Sequence, residues 1–301
     1  WELFTKLRGS KDPEAYETHL RDADLRNRFY ERFSLFARTL ALALSSTNFL
    51  VAANRETIEG YKKDLKFFQN LRAAVTYRYQ EAIDFSEYEP RIKKLIDTHV
   101  GAGEVEQLCQ PINLLNAGER LRVIEENGKS PGAKADMIAS ATRHTIEQEM
   151  AKDPAFYKKF SRLLEEVIEA YHQGRLEALE ALEKIKDIST KVVTRTDDDV
   201  PDELVGKNMA RRYYGQVCER IAEYGTYNEK AGAEIAIGIV DRIARHKIRD
   251  WPTNPDAVNR MRGEIDDFLF DIEEKRSLNL SLDDHDAIID RCIEVTIANE
   301  D

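Results

Sequence analysis

Apolar residues recur three and four positions apart along almost the whole chain, and strict apolar–polar alternation is scarce. A period near 3.6 places such residues on one stripe of an α-helix, whereas a half-buried strand needs a period of two. Over 25–44, Leu25, Phe29, Phe33, Phe36, Leu40 and Leu44 form one stripe; over 55–79, Ile58, Tyr61, Leu65, Phe68, Val75 and Tyr79 form another. The pattern predicts an all-α fold: a multi-helix, orthogonal or bundle-like helical domain with little or no sheet.

Start signals punctuate the pattern. Asp12-Pro13, Asp153-Pro154 and Asn254-Pro255 each set an N-cap before a proline whose missing N–H costs a first helical turn nothing. Asn54 caps another helix, Ser86 with Glu89 opens one that ends near Gly101, and Ser281 with Asp284 begins a terminal one. Residues 101–116 hold glycine, proline and asparagine and read as a loop. From Asp153 the apolar stripe runs through Tyr157, Phe160, Leu164, Val167, Ile168 and Tyr171, past Gly174, to Leu176, Leu179, Leu182 and Ile185, as one bent helix or two. The acidic, proline-broken stretch 196–203 is the candidate linker. It divides an N-terminal helical lobe, 1–195, from a C-terminal lobe, 204–301, the two forming one packed helical unit. Helices are expected there at about 204–224, 229–248 and 255–275.

The chain has 301 residues, of which 42% are hydrophobic, enough to fill a core, and 34% charged. No apolar run approaches the roughly 20 residues that span a bilayer, so no membrane partner is expected and the default location is the cytoplasm. Cys109, Cys218 and Cys292 lie too far apart for a zinc knuckle or a disulfide framework. A net charge of −11 should repel a polyanion unless basic residues are segregated onto one face. Two clusters recur at helical spacing, Lys62, Lys63 and Lys66, and Arg242, Arg245, Lys247 and Arg249; acidic residues interleave with both, so a solvated face is the first reading and DNA contact the alternative. The chain begins at Trp1 and enters a helical pattern at once, which reads as a piece of a longer polypeptide.

Three motif fragments with catalytic associations occur, each in a context that does not suit the chemistry. Gly128-Lys129-Ser130 ends like a phosphate-binding loop, but Val123 stands where the first glycine belongs, and Pro131 makes Ser130 a helix N-cap instead. Glu169-x-x-His172 is half of a di-iron bundle signature, and its second half is missing from the sequence. A stand-alone helical metalloprotein would need those two residues plus unrecognised acidic ligands. Asp64-x-Lys66 and Glu273-x-Lys275 match a nuclease tripeptide but sit in helical patterns, where alternate residues diverge. The sequence therefore nominates no catalytic residue, no metal ligand and no cofactor-binding residue.

Three stretches carry a resemblance: "QPINLLN" at 110–116, "ASATRHTIEQEMAKDPAFYKKFSRLLEEVIEAYHQGR" at 139–175, and "RIARHKIRDWPTNPDAVNRMRGEIDDFLFDI" at 242–272. Over 88–188 and 242–272 the chain resembles the C-terminal helical region of the restriction (motor and nuclease) subunit of type I restriction-modification enzymes, which are prokaryotic. The resemblance implies a parent that is an ATP-dependent type I site-specific deoxyribonuclease. Such a parent carries a nuclease domain, two helicase lobes that bind ATP and Mg, and this helical module after them. It further implies that the module has no chemistry or cofactor of its own, and that it docks the motor subunit onto the methyltransferase and specificity subunits. The parent's helicase lobes would be partners too, and DNA an indirect one. A docking surface needs aromatic anchors. Trp251, in the helix-breaking Asp250-Trp251-Pro252, is the first candidate for partner contact, with Tyr213 and Tyr214, and then Tyr224, behind it; a ring plugging a seam between helices is the competing reading.

Overall fold

The computed structural model describes residues 1–81, 124, 130–197, 199–221 and 229–300. Among these it is all-helical, with eleven α-helices and no strand. They are α1 (Pro13–His19), α2 (Ala23–Leu44), α3 (Thr47–Ala52), α4 (Arg55–Arg78), α5 (Pro131–Glu149), α6 (Pro154–His172), α7 (Ala178–Thr194), α8 (Asn208–Ile221), α9 (Glu229–His246), α10 (Pro255–Arg276) and α11 (Leu282–Ile297). The expected loop at 101–116 and the helix from Ser86 lie outside the described residues.

The caps form as their chemistry requires. Asp12, Asn54 and Asp153 each accept a backbone N–H of the turn that follows, from Glu14, Thr57 and Phe156. Ser281 and Asp284 complete a reciprocal capping box. Ser130 accepts from Ala133 N at 3.1 Å, as an N-cap of α5 should, and its hydroxyl also bonds Glu14. The apolar stripe that runs past Gly174 is two helices, α6 and α7, because Gly174 takes φ +69°, a left-handed conformation that stops α6.

The chain forms two compact units, Trp1–Ala141 and Thr142–Asp301, dividing within α5. That division falls some way before 196–203, the stretch expected to link the lobes. Within that stretch Lys159 of α6 pairs with Asp197 and Asp199 at 2.6 Å each.

In the first unit α2 and α4 enclose an aromatic core. Phe4, Tyr16, Phe29, Phe33 and Phe68 are buried with Leu20, Leu65 and Val75, and their rings meet edge-on, tilted or stacked at 5.6–6.2 Å. Several charged and polar groups are paired there. Arg26 donates to Glu81 at 2.7 Å, Tyr30 donates to Glu81 at 2.6 Å, and Arg78 lies among Asp136, Glu17 and Glu14 at 2.8, 3.3 and 3.6 Å. Burial alone would lower the Arg78 pKa, but Asp136 and the neighbouring carboxylates more than offset it and raise the net value.

The second unit is built on aliphatic packing. Helix α8 touches α6, α9 and α11, while α10 packs on α9 and α11. Ile235, Ile239 and Ile243 of α9 meet Met261, Ile265, Leu269 and Ile272 of α10, and Ile288, Ile289 and Ile293 of α11 close the far side. Helix α8 approaches α6 so closely that a Cβ at Gly215 would overlap that of Ala155.

Candidate functional site

The residues nominated from sequence for partner contact are core side chains. Trp251 is 1% exposed and Tyr213 1%, and Tyr214 is buried as well. The helix break at Asp250 does form, with φ +57° there and a 3₁₀ turn over Trp251–Thr253, but the indole turns inward to the seam between helices. An aromatic ring that can bury most of its area gains more from the core than from a wet loop, and nothing in the local sequence says which helix will arrive to cover it. Tyr213 hydroxyl pairs with Thr296, and burial pushes its pKa up. Tyr224 lies outside the described residues.

The basic residues considered for DNA are largely offset. The Arg242 guanidinium carbon lies over the Phe268 ring, 3.7 Å from its centroid, and Arg242 donates to the Gly238 carbonyl at 2.9 Å. Arg245 lies 3.7 Å from Glu264, Lys247 pairs with Glu300, and Arg249 lies 3.8 Å from Asp250. His246 also reaches Glu264, at 2.8 Å, and that contact holds the Glu264 carboxyl below its usual range. Lys62 meets Glu59 at 3.0 Å. Glu169, the half-signature carboxylate, accepts from Gln173 at 2.7 Å, and among the described residues no group of three His, Cys, Asp or Glu is placed to hold a metal. None of the described helices is long and apolar enough to cross a membrane.

A different constellation appears inside the second unit. A cleft of about 720 Å³ lies among the start of α6, the end of α7 and α8, lined by Asp153, Phe156, Arg195, Arg211, Arg212 and Gly215 with further residues of the 197–208 stretch. Asp153, buried at 8% exposure, is the N-cap of α6 and accepts from Phe156 N at 3.4 Å. Arg195 closes α7 in the left-handed region, φ +53°, and points its guanidinium at Asp153, 3.5 Å away, with its cationic centre 5.5 Å from the Tyr157 ring. A non-glycine residue there is uncommon and costs about 1 kcal/mol, which the interactions of its side chain offset. Arg211 donates to the Arg195 carbonyl at 3.2 Å and Arg212 to the Lys152 carbonyl at 3.3 Å.

Burial pushes the Asp153 carboxyl up to about 6, against the Phe156 N–H and the three guanidiniums, all of which pull it down. Burial, followed by Arg195, lowers the Arg212 pKa. The arrangement is a partly desolvated carboxylate ringed by cations that repel one another. Sequence reading found Asp153 only as a cap and missed the arginines. Arg195 and Arg211-Arg212 belong to separate segments, and no local spacing links them to Asp153.

The match to known proteins covers most of the chain. The family described as Type I restriction enzyme HindI endonuclease subunit-like, C-terminal, matches residues 12–274. The putative type I restriction enzyme MjaIXP endonuclease subunit of Methanocaldococcus jannaschii is 24% identical over 234 residues, which is 74% of this chain and 22% of that protein. The chain thus spans about a fifth of the length of that curated relative. No solved structure matches it. The family match runs across both compact units and includes all three stretches that carried the resemblance, 110–116, 139–175 and 242–272, in full, and so this chain belongs to the family of HindI-like type I restriction enzyme endonuclease subunits, as their C-terminal region.

Proposed function

We propose that the chain is the assembly element of its subunit: it docks the ATP-dependent, DNA-translocating and DNA-cleaving part of a type I restriction enzyme onto the methyltransferase and specificity subunits. The family supports the setting, since the region is C-terminal in an endonuclease subunit, and the subunits of a type I enzyme act as a complex. On this reading ATP and Mg belong to the helicase lobes of the parent, and the chain touches DNA through its partners. The observation that carries it is an apolar outer face on α2. Leu35 and Leu42, two helical turns apart and so on one stripe, are 65% and 73% exposed. Helix α2 already has a buried stripe in Phe29, Phe33, Ala37, Leu40 and Leu44, so these leucines are surplus to the core. The DNA-contact reading loses ground because carboxylates of Glu264, Glu300 and Asp250 interleave with Arg245, Lys247 and Arg249, so these cations do not form a segregated basic face.

The full endonuclease subunit carrying Leu35→Glu and Leu42→Glu should elute apart from the methyltransferase–specificity complex in size-exclusion chromatography, while the unaltered subunit co-elutes. Both positions are exposed, so the fold should tolerate the change. Co-elution of a subunit from which this entire region has been deleted would refute the assembly role itself.

A further inference from the structure

We propose that the outer face of the α10–α11 pair docks a basic, amphipathic helix of a partner protein.

The face has an apolar centre. Phe270, on α10, is 48% exposed, and Leu282, which opens α11, is 67% exposed. Both flank His285: the Phe270 ring meets the imidazole at 4.7 Å between centroids, and Leu282 sits one helical turn before it on α11. The imidazole is buried and held at both nitrogens, by Asp266 at 2.7 Å and Glu273 at 3.1 Å, which ties the two helices together beneath the exposed ring. The core of the second unit is filled from another stripe of α10, Met261, Ile265, Leu269 and Ile272, and takes up neither Phe270 nor Leu282. Two apolar side chains on a fixed base are what a partner would cover.

The surroundings of that centre are acidic when every charge is counted. Residues 255–297, from the start of α10 to the end of α11, hold twelve carboxylates and five arginines and lysines. The helices packed against them add Glu234 of α9, which draws Lys275 and Arg276, and Arg242, Arg245 and His246 of α9, which act on Asp271 and Glu264. Arg220 of α8 lies 3.9 Å from Asp284. Thirteen carboxylates then stand against eight arginines and lysines, and the balance stays negative with His246 and His285 both counted as charged. Closest to the apolar centre the excess is unmatched. Asp267 and Glu274 share the Phe270 stripe, three residues before it and four after, and Asp283 follows Leu282. All three are exposed, and none has an ion-pair partner among the described residues.

Charge selects the occupant. This face would repel a phosphate backbone, and a second copy brought to it by a two-fold axis would set the same carboxylates against each other. Lysines and arginines flanking an apolar residue match it. The described residues offer no strand edge for an extended chain to join, so the incoming backbone must satisfy its own hydrogen bonds, as a helix does. The face belongs to the second unit and shares no residue with the α2 stripe, and the proposal does not rest on the assembly role.

The test is fluorescence anisotropy of a labelled synthetic helix of about 18 residues, leucines on one face and lysines on the other, titrated with the 301-residue chain. The basic peptide should bind, about tenfold or more weakly at about 300 mM salt than at about 50 mM, and the same peptide with glutamates for lysines should not bind. Phe270→Ser with Leu282→Ser should weaken binding by about tenfold or more, and Asp267→Asn with Glu274→Gln by about threefold or more. Glu177→Gln with Glu183→Gln removes the same charge from exposed positions near the start of α7, and should change the affinity by less than about twofold. If circular dichroism shows the serine variant unfolded, the two pairs of charge variants decide alone. Equal losses from those pairs, equal binding of the acidic peptide, or full binding by a folded serine variant would reduce the attraction to general charge and overturn the proposal. No binding of the basic peptide at the lower salt would overturn it too. Dimerisation of the chain in sedimentation, abolished by Phe270→Ser, would give the face to a second copy and overturn it as well.

Discussion

Each unit holds one charge under the influence of three opposite charges, and the two arrangements differ in how tightly they close. In the first unit Arg78, 3% exposed, is encircled by Asp136, Glu17 and Glu14. In the second, Asp153 is encircled by Arg195, Arg211 and Arg212. The first ring is closed: its shortest contact is 2.8 Å, and it ties α4 to α1 and α5. The second is open: the nearest guanidinium is 3.5 Å away, and the arginines form the wall of a cleft. The pKa directions mark the same contrast. Surrounding charge wins at Arg78, whereas burial wins at Asp153 and holds that carboxyl at about 6 despite three cations. A closed ring is a clamp; an open one leaves its charges facing a cleft.

The sharpest way to break the comparison is to empty the first ring. Arg78→Met leaves three carboxylates facing one another without their cation, two of them largely buried, and should destabilise the first unit by about 3–5 kcal/mol in urea denaturation. A loss within error of zero would mean the ring is ornamental.

Asp153→Asn should act in the opposite sense and depend on pH. The carboxyl's pKa is raised from 3.8 to about 6 in the folded chain, so between these values the folded state holds a proton that the unfolded state releases. Stability attributable to Asp153 therefore falls as pH rises through that window, and above it the folded chain carries an ionised, desolvated carboxylate. The asparagine keeps an acceptor for Phe156 N without the charge. The variant should match the wild type near pH 4 and exceed it near pH 7.5 by about 3 kcal/mol at most. A wild type more stable than the variant at the higher pH would show that the arginines, rather than burial, govern the site.

The smallest effect should come from Glu14→Gln. Its carboxylate is 39% exposed and 3.6 Å from Arg78, against 11% and 2.8 Å for Asp136, so water already screens it. A change below about 1 kcal/mol is expected in the same denaturation assay.

Both rings escaped the sequence for the same reason that the helices did not. A cap is a conversation between neighbours: Asp12 with Glu14, Asn54 with Thr57, Ser281 with Asp284, all within three positions. Side chains at that range meet whatever the rest of the chain does, so the all-helical architecture could be read directly. Arg78 finds Asp136 across 58 positions, and Arg195 finds Asp153 across 42. Those meetings depend on which helices pack together, information that amphipathic stripes leave open because every stripe is equally sticky. Trp251 shows the same gap from the apolar side. Its helix-breaking context was legible, but the partner that buries it was not.

The floor of the cleft is a glycine facing an alanine, Gly215 against Ala155, and this makes its gauge a matter of backbone approach. Arg211 sits one turn before Gly215 on the same face of α8, with Arg212 beside it. A single methyl added at position 215 would wedge α8 off α6 and carry both guanidiniums away from Asp153 together. Tuning of this pocket could thus drift through an uncharged, unremarkable position, with every charged residue in it left untouched.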